Sequence, residues 1–401
     1  MTGPDVSRLR AMSNSVAIIG VGDTDYAKDY RSGARGNAVE RGSHARTAYQ
    51  LAITAFQRTL DDAGIDKSQI DGVCVGGGIS TERISEILGI DPDWTGEAGA
   101  AEAVIAATQA IHVGLCTTVV CLMGNAQRSN NAQFGGPGVA ANARTSYVYY
   151  APWGQTSQGA LYALSFRAHQ LKYGTTEEQL GAVAVAFRKH ATMNPNAVMQ
   201  QPLTIDDYME SQYIVEPLHL FDYTIINDGG VAIILQRADM ANDAKQTPVL
   251  VSGVGWHELN VDANQLRPRI DDFYRSSHRA AARSLYPMAA LSGPKDVDVY
   301  GQYDSFSVHL LYSLEGYGFC GEGEAGAFIQ GGRIEIGGEI PCNTSGGHLS
   351  ESYLQGWAQN VELVRQLRGG LGARQVEGAE VAQYNHDASG ACYGLIYTKG
   401  R

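Results

Sequence analysis

Basic residues are scarce in this sequence, and no run of them occurs along it. Lysine and arginine together number 30 against 42 aspartates and glutamates, which gives a formal net charge of −12. Nucleic-acid phosphates and anionic membrane surfaces are both bound through clustered Lys and Arg side chains. We therefore expect neither nucleic acid nor a membrane surface as a partner.

Long apolar runs and paired metal-ligand motifs are also absent. No apolar stretch reaches the ~18 residues of a transmembrane helix, and residues 1–15 contain no apolar segment of a signal peptide. The 6 cysteines form no CxxC motif and no Cys/His cluster with zinc spacing. These absences predict a cytoplasmic protein with reduced thiols, no metal site and no cofactor bound by this chain.

What the sequence has in quantity is hydrophobic residues, 44% of the chain, and glycine, 48 residues clustered in short runs. A succession of strand, helix and strand is predicted twice, at 15–24, 45–65 and 68–78 and again at 247–255, 278–293 and 296–306. Buried strands that alternate with helices favour an α/β fold with mixed or parallel sheets. We predict two similar α/β halves, at 15–240 and 247–401, after an N-terminal extension at 1–14.

Two segments of the first half differ from the rest in composition. Residues 97–115 are nearly all apolar and predict a helix buried at the centre of the molecule. Residues 125–165 are rich in Asn, Gly and Tyr and predict a long loop region. The aromatic residues at 147–162 are expected either to line an apolar ligand pocket or to form a dimer interface.

A glycine-rich segment of the second half, NTSGGHLSESYLQGW at 343–357, ends a strand and opens a helix. Glycine lets a ligand approach the backbone closely. Asn343, Gly346 and Gly347 are therefore predicted to lie at a binding site. Tyr353 follows them in the same segment.

The order of these features resembles the thiolase superfamily over nearly the full length of the chain, and is most similar to the sterol-carrier-protein-type thiolases and the thiolase-like lipid-transfer proteins. Besides the central helix and the segment at 343–357, the matching stretches are VAIIGVGDT, INDGGVAIIL, YDSF at 303–306, GFCGEGEAGAFI at 318–329 and HDASGACYG at 386–394. The resemblance implies a five-layer α-β-α-β-α fold built from two similar halves, and a dimer.

The chain departs from the thiolase pattern at the residues that carry the chemistry. Thiolases use a nucleophilic cysteine at the start of the central helix, but here no cysteine lies between Cys74 and Cys116, so no acyl-enzyme forms there. Tyr353 stands in place of the histidine of the GHP motif, and Tyr303 in place of the NEAF/HDCF residue. Only the C-terminal CxG motif remains, at Cys392. A cysteine-less thiolase with this tyrosine pair resembles the retro-aldolases of bacterial steroid side-chain degradation.

That resemblance implies retro-aldol cleavage of a β-hydroxyacyl-CoA, with a steroid or bile-acid side chain, to a ketone or aldehyde and acetyl- or propionyl-CoA. Two groups that both give and take protons suffice for this reaction. A phenol does both, although its ordinary pKa is about 10. We predict that Tyr353 is the base for the hydroxyl and Tyr303 the acid for the enolate, with the reverse assignment open.

Other residues of the same segments are predicted to support the two tyrosines. Backbone N–H groups near Gly346, Gly347 and Gly394 are candidate oxyanion-hole donors. Asp304 and His348 are candidates for orienting a tyrosine, with a surface or capping role open for His348. Cys392 either lines the site or packs in the core, and His386 either contacts substrate or coenzyme A or is structural.

The resemblance also implies a partner, a small protein with an OB-fold and a zinc ribbon, in an α2β2 heterotetramer around a thiolase-like homodimer. Any zinc would then belong to the partner subunit, and the coenzyme A thioester would be the substrate. Two alternatives stay open: a non-catalytic acyl-CoA or lipid carrier or scaffold subunit, and a thiolase-type acyltransferase that uses a different cysteine.

Overall fold

A computed structural model describes residues 5–32, 46–135, 150–258, 272–388 and 390–400. Its helices are α1 (Val6–Met12), α2 (Tyr26–Ser32), α3 (Ala48–Ala63), α4 (Thr81–Leu88), α5 (Ala100–His112), α6 (Gln158–Tyr173), α7 (Glu177–Thr192), α8 (Ile205–Glu210), α9 (Arg275–Met288), α10 (Val308–Tyr317), α11 (Ala325–Ile329), α12 (Gly347–Ser350) and α13 (Trp357–Arg368). Its strands are β1 (Val16–Asp23), β2 (Gly72–Gly77), β3 (Trp94–Glu97), β4 (Thr118–Ala126), β5 (Tyr213–Val215), β6 (Leu218–His219), β7 (Asp228–Arg237), β8 (Val249–Glu258), β9 (Val299–Gln302), β10 (Val381–Ala388) and β11 (Ala391–Lys399).

Nine strands form one sheet in the order β3-β2-β4-β7-β1-β8-β11-β10-β9. At its centre β1 and β8 are joined by only two residue pairs, formed by Ala17 and Ile18. Outward from this junction, both sides of the sheet have two antiparallel pairings followed by a parallel one. A second parallel pairing follows on each side, through β3 in the first half and through a single bridge between Tyr300 and Cys342 in the second. The two halves therefore repeat one strand arrangement.

The hydrophobic core lies in layers on the two faces of this sheet. In β1, Val16 and Ile18 belong to the central core, which also contains residues of α5 and α13, whereas Ala17 and Ile19 pack with α3. In β11, Leu395 belongs to that same central core, while neighbouring residues pack with α9 and α10. Side chains alternate between the faces of a strand, so each half of the sheet turns one face to the central core and the other to the outer helices. The order of layers is therefore helix, half-sheet, helix, half-sheet, helix. The predicted α/β class and five-layer arrangement are confirmed.

Local sequence signals explain the boundaries of the helices that were predicted. Thr47 caps α3 in a reciprocal capping box with Gln50, and Gly64 ends the helix with φ 72°, as glycine does at helix C-termini. Most residues of the central helix α5, including Ala100 and Ile111, are buried, because its small apolar side chains pack against both halves of the sheet. The predicted half boundaries at 240 and 247 stay a prediction.

Two segments of the first half contain regular structure that was not predicted from the sequence: the N-terminal extension, whose bounds stay a prediction, and the region 125–165, whose ends were wrongly predicted as loop. Part of the N-terminal extension is helix α1, whose Met12 is buried and whose Arg10 donates to the carbonyl of Pro287 (3.1 Å). The predicted loop region 125–165 begins inside β4 and ends inside α6. The middle of that region, 136–149, lies outside the described residues. Within the described ranges, none of the helices is long and apolar enough to span a membrane.

Candidate active site

The two predicted tyrosines meet at one place, although they come from different segments of the second half. The hydroxyl oxygens of Tyr303 and Tyr353 are 3.1 Å apart and form a hydrogen bond. Both residues are buried, with 8% and 7% of their surface exposed. No other hydrogen bond joins either hydroxyl to a described residue, so each oxygen keeps capacity for a further partner.

Tyr303 follows the last residue of β9 and is held by its backbone. Its amide donates to the carbonyl of Asn385 (2.8 Å) in β10, and its carbonyl accepts from the side chain of Gln302 (2.9 Å). Its ring lies parallel to that of His386, with centroids 4.3 Å apart and an interplanar angle of 22°. The parallel pairing of β9 with β10 therefore fixes where this phenol points.

Tyr353 lies in the turn between α12 and α13 and is held by asparagines of the first half. Its amide donates to the side-chain oxygen of Asn227 (2.6 Å), and its carbonyl accepts from the side-chain amide of Asn125 (3.3 Å). The ring of Phe134 contacts it edge-on at 5.7 Å. Asn125 and Gln355 also line a cavity of ≈ 400 Å³, which therefore borders this turn.

The hydrogen bond between the phenols makes them electrostatically unequal. Burial raises the pKa of both hydroxyls above their ordinary value. Either hydroxyl can donate in this hydrogen bond. When Tyr303 donates, the bond lowers the pKa of Tyr353, and the negative charge of an ionised Tyr353 raises the pKa of Tyr303 further. Two titrating groups in contact separate in this way. Of the two, Tyr353 is the one whose ionised form is supported by its neighbour.

His348 and Asp304 lie directly behind the pair, so a surface position for His348 is wrong. The imidazole contacts both phenol rings edge-on, at 4.8 Å and 5.1 Å, and is fully buried. Its Nε2 accepts from the amide of Gly356 (2.9 Å). Burial and the neighbouring histidines hold its pKa well below the ordinary range, so it is neutral and packs between the rings.

Asp304 organises the backbone of the glycine-rich turn. Its carboxylate accepts from the amides of His348 (2.9 Å) and Leu349 (3.3 Å) and from the side chain of Gln359 (2.6 Å). Burial raises its pKa to about 8. The contribution of Asp304 to the site is therefore to hold the turn that precedes Tyr353.

The glycines predicted as oxyanion-hole donors lie in tight turns or tightly packed strands. The amide of Gly346 donates to the carbonyl of Asn343 (2.9 Å). Gly347 has φ 59°, and a Cβ there would lie 2.4 Å from the Asp304 carboxylate. Gly394 lies inside β11 between two paired strands, where a Cβ would meet the side chain of Leu285. Tight packing and turn geometry explain why these positions are glycine, and the role of their amides as oxyanion-hole donors stays a prediction.

Cys392 packs in the core, as one of its two predicted roles required. Its side chain is fully buried and contacts the hydroxyl of Tyr317 (3.3 Å) and the side-chain oxygen of Asn385 (3.3 Å). Burial raises the pKa of its thiol far above the ordinary range. No thiolate is therefore expected at this position near neutral pH.

One acidic residue of the site was not predicted from the sequence. Glu102, in the first turn of α5, places a carboxylate oxygen 3.2 Å from Nδ1 of His386. Burial raises its pKa, but the electrostatic attraction of the nearby imidazole outweighs this and lowers it below the ordinary value, although the two atoms are not aligned as a hydrogen bond. A single glutamate in an otherwise apolar buried helix was the sequence signal that identifies it.

The start of the central helix carries no thiol. The helix begins at Gly99 and Ala100, and the cysteines beneath it are Cys74 and Cys121, both fully buried. Burial and contact with Cys74 raise the pKa of Cys121 well above the ordinary range. No group of three or more His, Cys, Asp or Glu side chains able to hold a metal ion occurs in the part of the chain that the structure describes.

The predicted aromatic cluster divides into core and surface. Tyr162 is buried in α6 and packs on the rings of Phe306 and His309 at 4.9 Å and 4.5 Å. Trp153 is 86% exposed. Tyr147 and Tyr149 lie outside the described residues, so the choice between a pocket wall and a dimer interface stays a prediction.

Comparison with known proteins gives a consistent picture. The profile of the family described as "Thiolase C-terminal domain-like" matches residues 261–393. The chain is 34% identical to the 17-hydroxy-3-oxo-4-pregnene-20-carboxyl-CoA lyase of Mycobacterium tuberculosis over 375 residues, which is 89% of this chain and 92% of that protein. It is 32% identical to the steroid side-chain-cleaving aldolase of Thermomonospora curvata over 380 residues, 90% of this chain and 92% of that protein.

One solved structure is similar to this chain over nearly its whole length. The structure described as "Ltp2-ChsH2(DUF35) aldolase" superposes with a TM-score of 0.84 at 31% identity, and the match covers 98% of this chain and 99% of that chain. Its overlap extends over both halves of the sheet and both tyrosine segments.

Proposed function

The chain belongs to the thiolase superfamily, in the group that contains the steroid side-chain-cleaving aldolases, and on that premise we propose that it is a carbon–carbon lyase. The proposed reaction is the retro-aldol cleavage of a β-hydroxyacyl-CoA with a steroid-like side chain. The observation that carries the proposal is the 3.1 Å hydrogen bond between Tyr303 and Tyr353, at two positions where thiolases place catalytic residues.

Tyr353, as a phenolate, takes the proton of the β-hydroxyl in the first step. The bond between the α and β carbons then breaks, the oxygen becomes the carbonyl of a ketone or aldehyde, and the bonding electron pair forms the thioester enolate. Tyr303 gives its proton to the α carbon, which releases acetyl- or propionyl-CoA. When Tyr303 donates the hydrogen bond, it lowers the pKa of Tyr353 and so favours the phenolate form on which this assignment depends.

The direct contact between the phenols then restores the starting state. After cleavage Tyr353 holds the substrate's proton and Tyr303 is a phenolate, so one proton transfer along their hydrogen bond resets the pair. Water is not required for this step, because both oxygens are buried and already 3.1 Å apart. His348 and His386 are kept as candidates for contact with the thioester, since their rings flank the pair.

The proposed assembly follows the solved aldolase complex that the chain resembles. We propose a homodimer of this chain that binds two copies of a small protein of the DUF35 type, with any zinc held by that partner. The chain alone is expected to be poorly soluble or inactive. All six cysteines are unpaired, which favours a reducing compartment and hence the cytoplasm.

The main competing function is thiolase-type acyl transfer, and substrate choice separates it from the lyase. The purified complex would be given a 17-hydroxy steroid side-chain CoA ester without free coenzyme A. In a second reaction it would be given a β-oxoacyl-CoA with free coenzyme A, and products of both would be identified by mass spectrometry. The lyase is expected to form a ketone and a short acyl-CoA from the first substrate and to leave the second intact.

Each of the other outcomes has a defined meaning. Cleavage of only the β-oxoacyl-CoA, with a covalent acyl adduct on a cysteine, would contradict the lyase and support the acyltransferase. Binding of both esters without cleavage of either would support a carrier or scaffold. Full lyase activity of the chain without its partner would overturn the proposed requirement for the complex.

A further inference from the structure

Beside Tyr303, two further residues extend the candidate site: His386 and Glu102. The imidazole of His386 lies parallel to the Tyr303 ring at 4.3 Å, and on its other side Nδ1 is 3.2 Å from the Glu102 carboxylate. The side chains of His386 and Glu102 are only 13% and 20% exposed. Carboxylate, imidazole and phenol therefore form one contiguous series.

The fold holds the carboxylate of Glu102 in place through the start of α5. Glu102 belongs to the first turn of the helix, where the helix dipole favours negative charge. Its two oxygens lie 2.8 Å and 3.0 Å from the position that a Cβ on Gly99 would occupy. Gly99 has φ −68°, so the backbone accepts any residue there. A side chain at this position would instead displace the carboxylate from His386.

The other titratable groups around His386 come from three further elements. His348 of α12 is neutral, as its lowered pKa indicates. Tyr393 of β11 contacts the imidazole edge-on at 5.8 Å, and its hydroxyl donates to Glu258 of β8 (2.7 Å). Two carboxylates, Glu102 and Glu258, therefore lie near His386 among the described residues, and the imidazole of His309 lies 6.0 Å from the Tyr303 ring.

We infer that Glu102 and His386 are a positioning pair, which holds an imidazolium against the face of the Tyr303 ring and so makes Tyr303 the phenol that gives up its proton to the enolate. This inference rests on the proposed function. A cation on the face of an aromatic ring is attracted by the ring's electrons, and the attraction increases when the phenol becomes a phenolate.

The imidazolium stabilises the phenolate that Tyr303 forms when it donates its proton. Burial and the neighbouring Tyr353 both disfavour ionisation of Tyr303, yet an acid must ionise when it donates its proton. The parallel geometry does not let His386 share a hydrogen bond with the phenol, so its effect is electrostatic. Glu102 acts one step further away, because it keeps the imidazole charged and holds the plane of the ring.

The test measures the ionisation of Tyr303 directly and does not depend on turnover. The complex would be made with 3-fluorotyrosine, which acidifies every phenol, and the ¹⁹F resonance of Tyr303 would be assigned by its loss in Tyr303→Phe. The variants are His386→Phe, which keeps a stacked ring without charge, Glu102→Gln, and Gly99→Ala, which displaces the carboxylate. His112→Gln, at the far end of α5, is the matched control.

The expected result is a graded shift. The titration midpoint of Tyr303 rises by about one unit or more in His386→Phe, by less in Glu102→Gln and Gly99→Ala, and not at all in His112→Gln. The kcat of the complex is expected to be lower in His386→Phe than in the wild type and unchanged in His112→Gln.

Two results separate this inference from the proposed function. An unchanged Tyr303 midpoint in folded His386→Phe and Glu102→Gln complexes overturns the inference, even if the wild type is an active lyase. Shifted midpoints in a complex that cleaves no β-hydroxyacyl-CoA overturn the proposed function and leave the charge pair as an established feature of the site.

Discussion

Two buried polar groups lie close together in the second half, and they differ in how fully they are hydrogen-bonded. Asp387 accepts from His278 (2.7 Å), His309 (3.0 Å) and Gln302 (2.7 Å). The hydroxyls of Tyr303 and Tyr353 have only each other among the described residues. Each phenol oxygen therefore has one hydrogen-bond partner where the Asp387 carboxylate has three.

The difference indicates what each group contributes. Burial raises the pKa of Asp387, but the charges and hydrogen bonds of His309 and His278 outweigh it and hold the pKa below the ordinary range. A carboxylate with three donors is committed to structure. A phenol pair with free lone pairs is able to accept a substrate hydroxyl.

The largest effect is expected from the phenols. Tyr303→Phe should lower kcat by roughly 10²–10⁴-fold, as removal of an acid or base does. Adding Tyr353→Phe should lower it little further, because the two hydroxyls act as a unit. Steady-state kinetics of the single and double variants measures this. Independent, multiplying losses would contradict a proton shared between the two residues. The free energy of unfolding should change little, since phenylalanine keeps the packing.

Asp387→Asn is expected to lower stability more than activity. Asparagine lacks the negative charge that His278 and His309 face, so we expect a loss of roughly 3–5 kcal/mol in the free energy of unfolding. Urea unfolding measures the loss, with the exposed Asp61→Asn as control. A variant of wild-type stability would mean that the two groups do not differ as proposed.

A smaller loss of stability is expected from a glycine substitution in the turn before Tyr353. At Gly347 alanine meets both a positive φ (59°) and the Asp304 carboxylate, whereas at Gly337 it meets a positive φ (86°) with no atom within 4 Å. Gly337→Ala should lose about 1 kcal/mol to backbone strain. Gly347→Ala should lose roughly 2–4 kcal/mol, because overpacking is added. Equal losses at both sites would show that the contact with Asp304 is readily relieved.

The smallest effect concerns a third buried acid. Burial raises the pKa of Glu351 to about 7, above its ordinary value near 4.5. Its ionisation therefore favours the unfolded chain, and stability falls as pH rises between these two values. Glu351→Gln should remove on the order of 1 kcal/mol of this fall. The exposed Glu377→Gln should leave the pH dependence of unfolding unchanged, and the same slope in both variants would contradict the raised pKa.

Much of the fold was predictable because its signals are local. Short apolar runs, the glycine after α3 and the apolar composition of α5 each identify an element without reference to the rest of the chain. Helix α6 was missed because two of its three leucines are exposed and its buried face includes a glycine, a serine and a histidine. Leu161 is buried, while Leu164 and Leu171 are 53% and 83% exposed. A helix without an apolar stripe cannot be distinguished from a loop by periodicity.

The site was predictable only where a motif fixed the positions. Tyr303 and Tyr353 were identified because they occupy two places in a known pattern, and the structure brings them together. The contact of Glu102 with His386 joins the first turn of α5 to β10, and no local signal reports such a pairing. For the glycines near Gly346, close contacts with Asp304 and Ala191 account for the lack of a side chain, and their role in ligand binding stays a prediction.

The central claim is that the phenols transfer the protons of a carbon–carbon cleavage, and Tyr353→Phe tests it most directly. Single-turnover cleavage of a steroid β-hydroxyacyl-CoA would be timed in complexes of the wild type, Tyr353→Phe and the half-exposed Tyr213→Phe as control. The account predicts a fall of at least about 10²-fold in Tyr353→Phe alone, in a protein that unfolds like the wild type. Cleavage at the wild-type rate by Tyr353→Phe would contradict it.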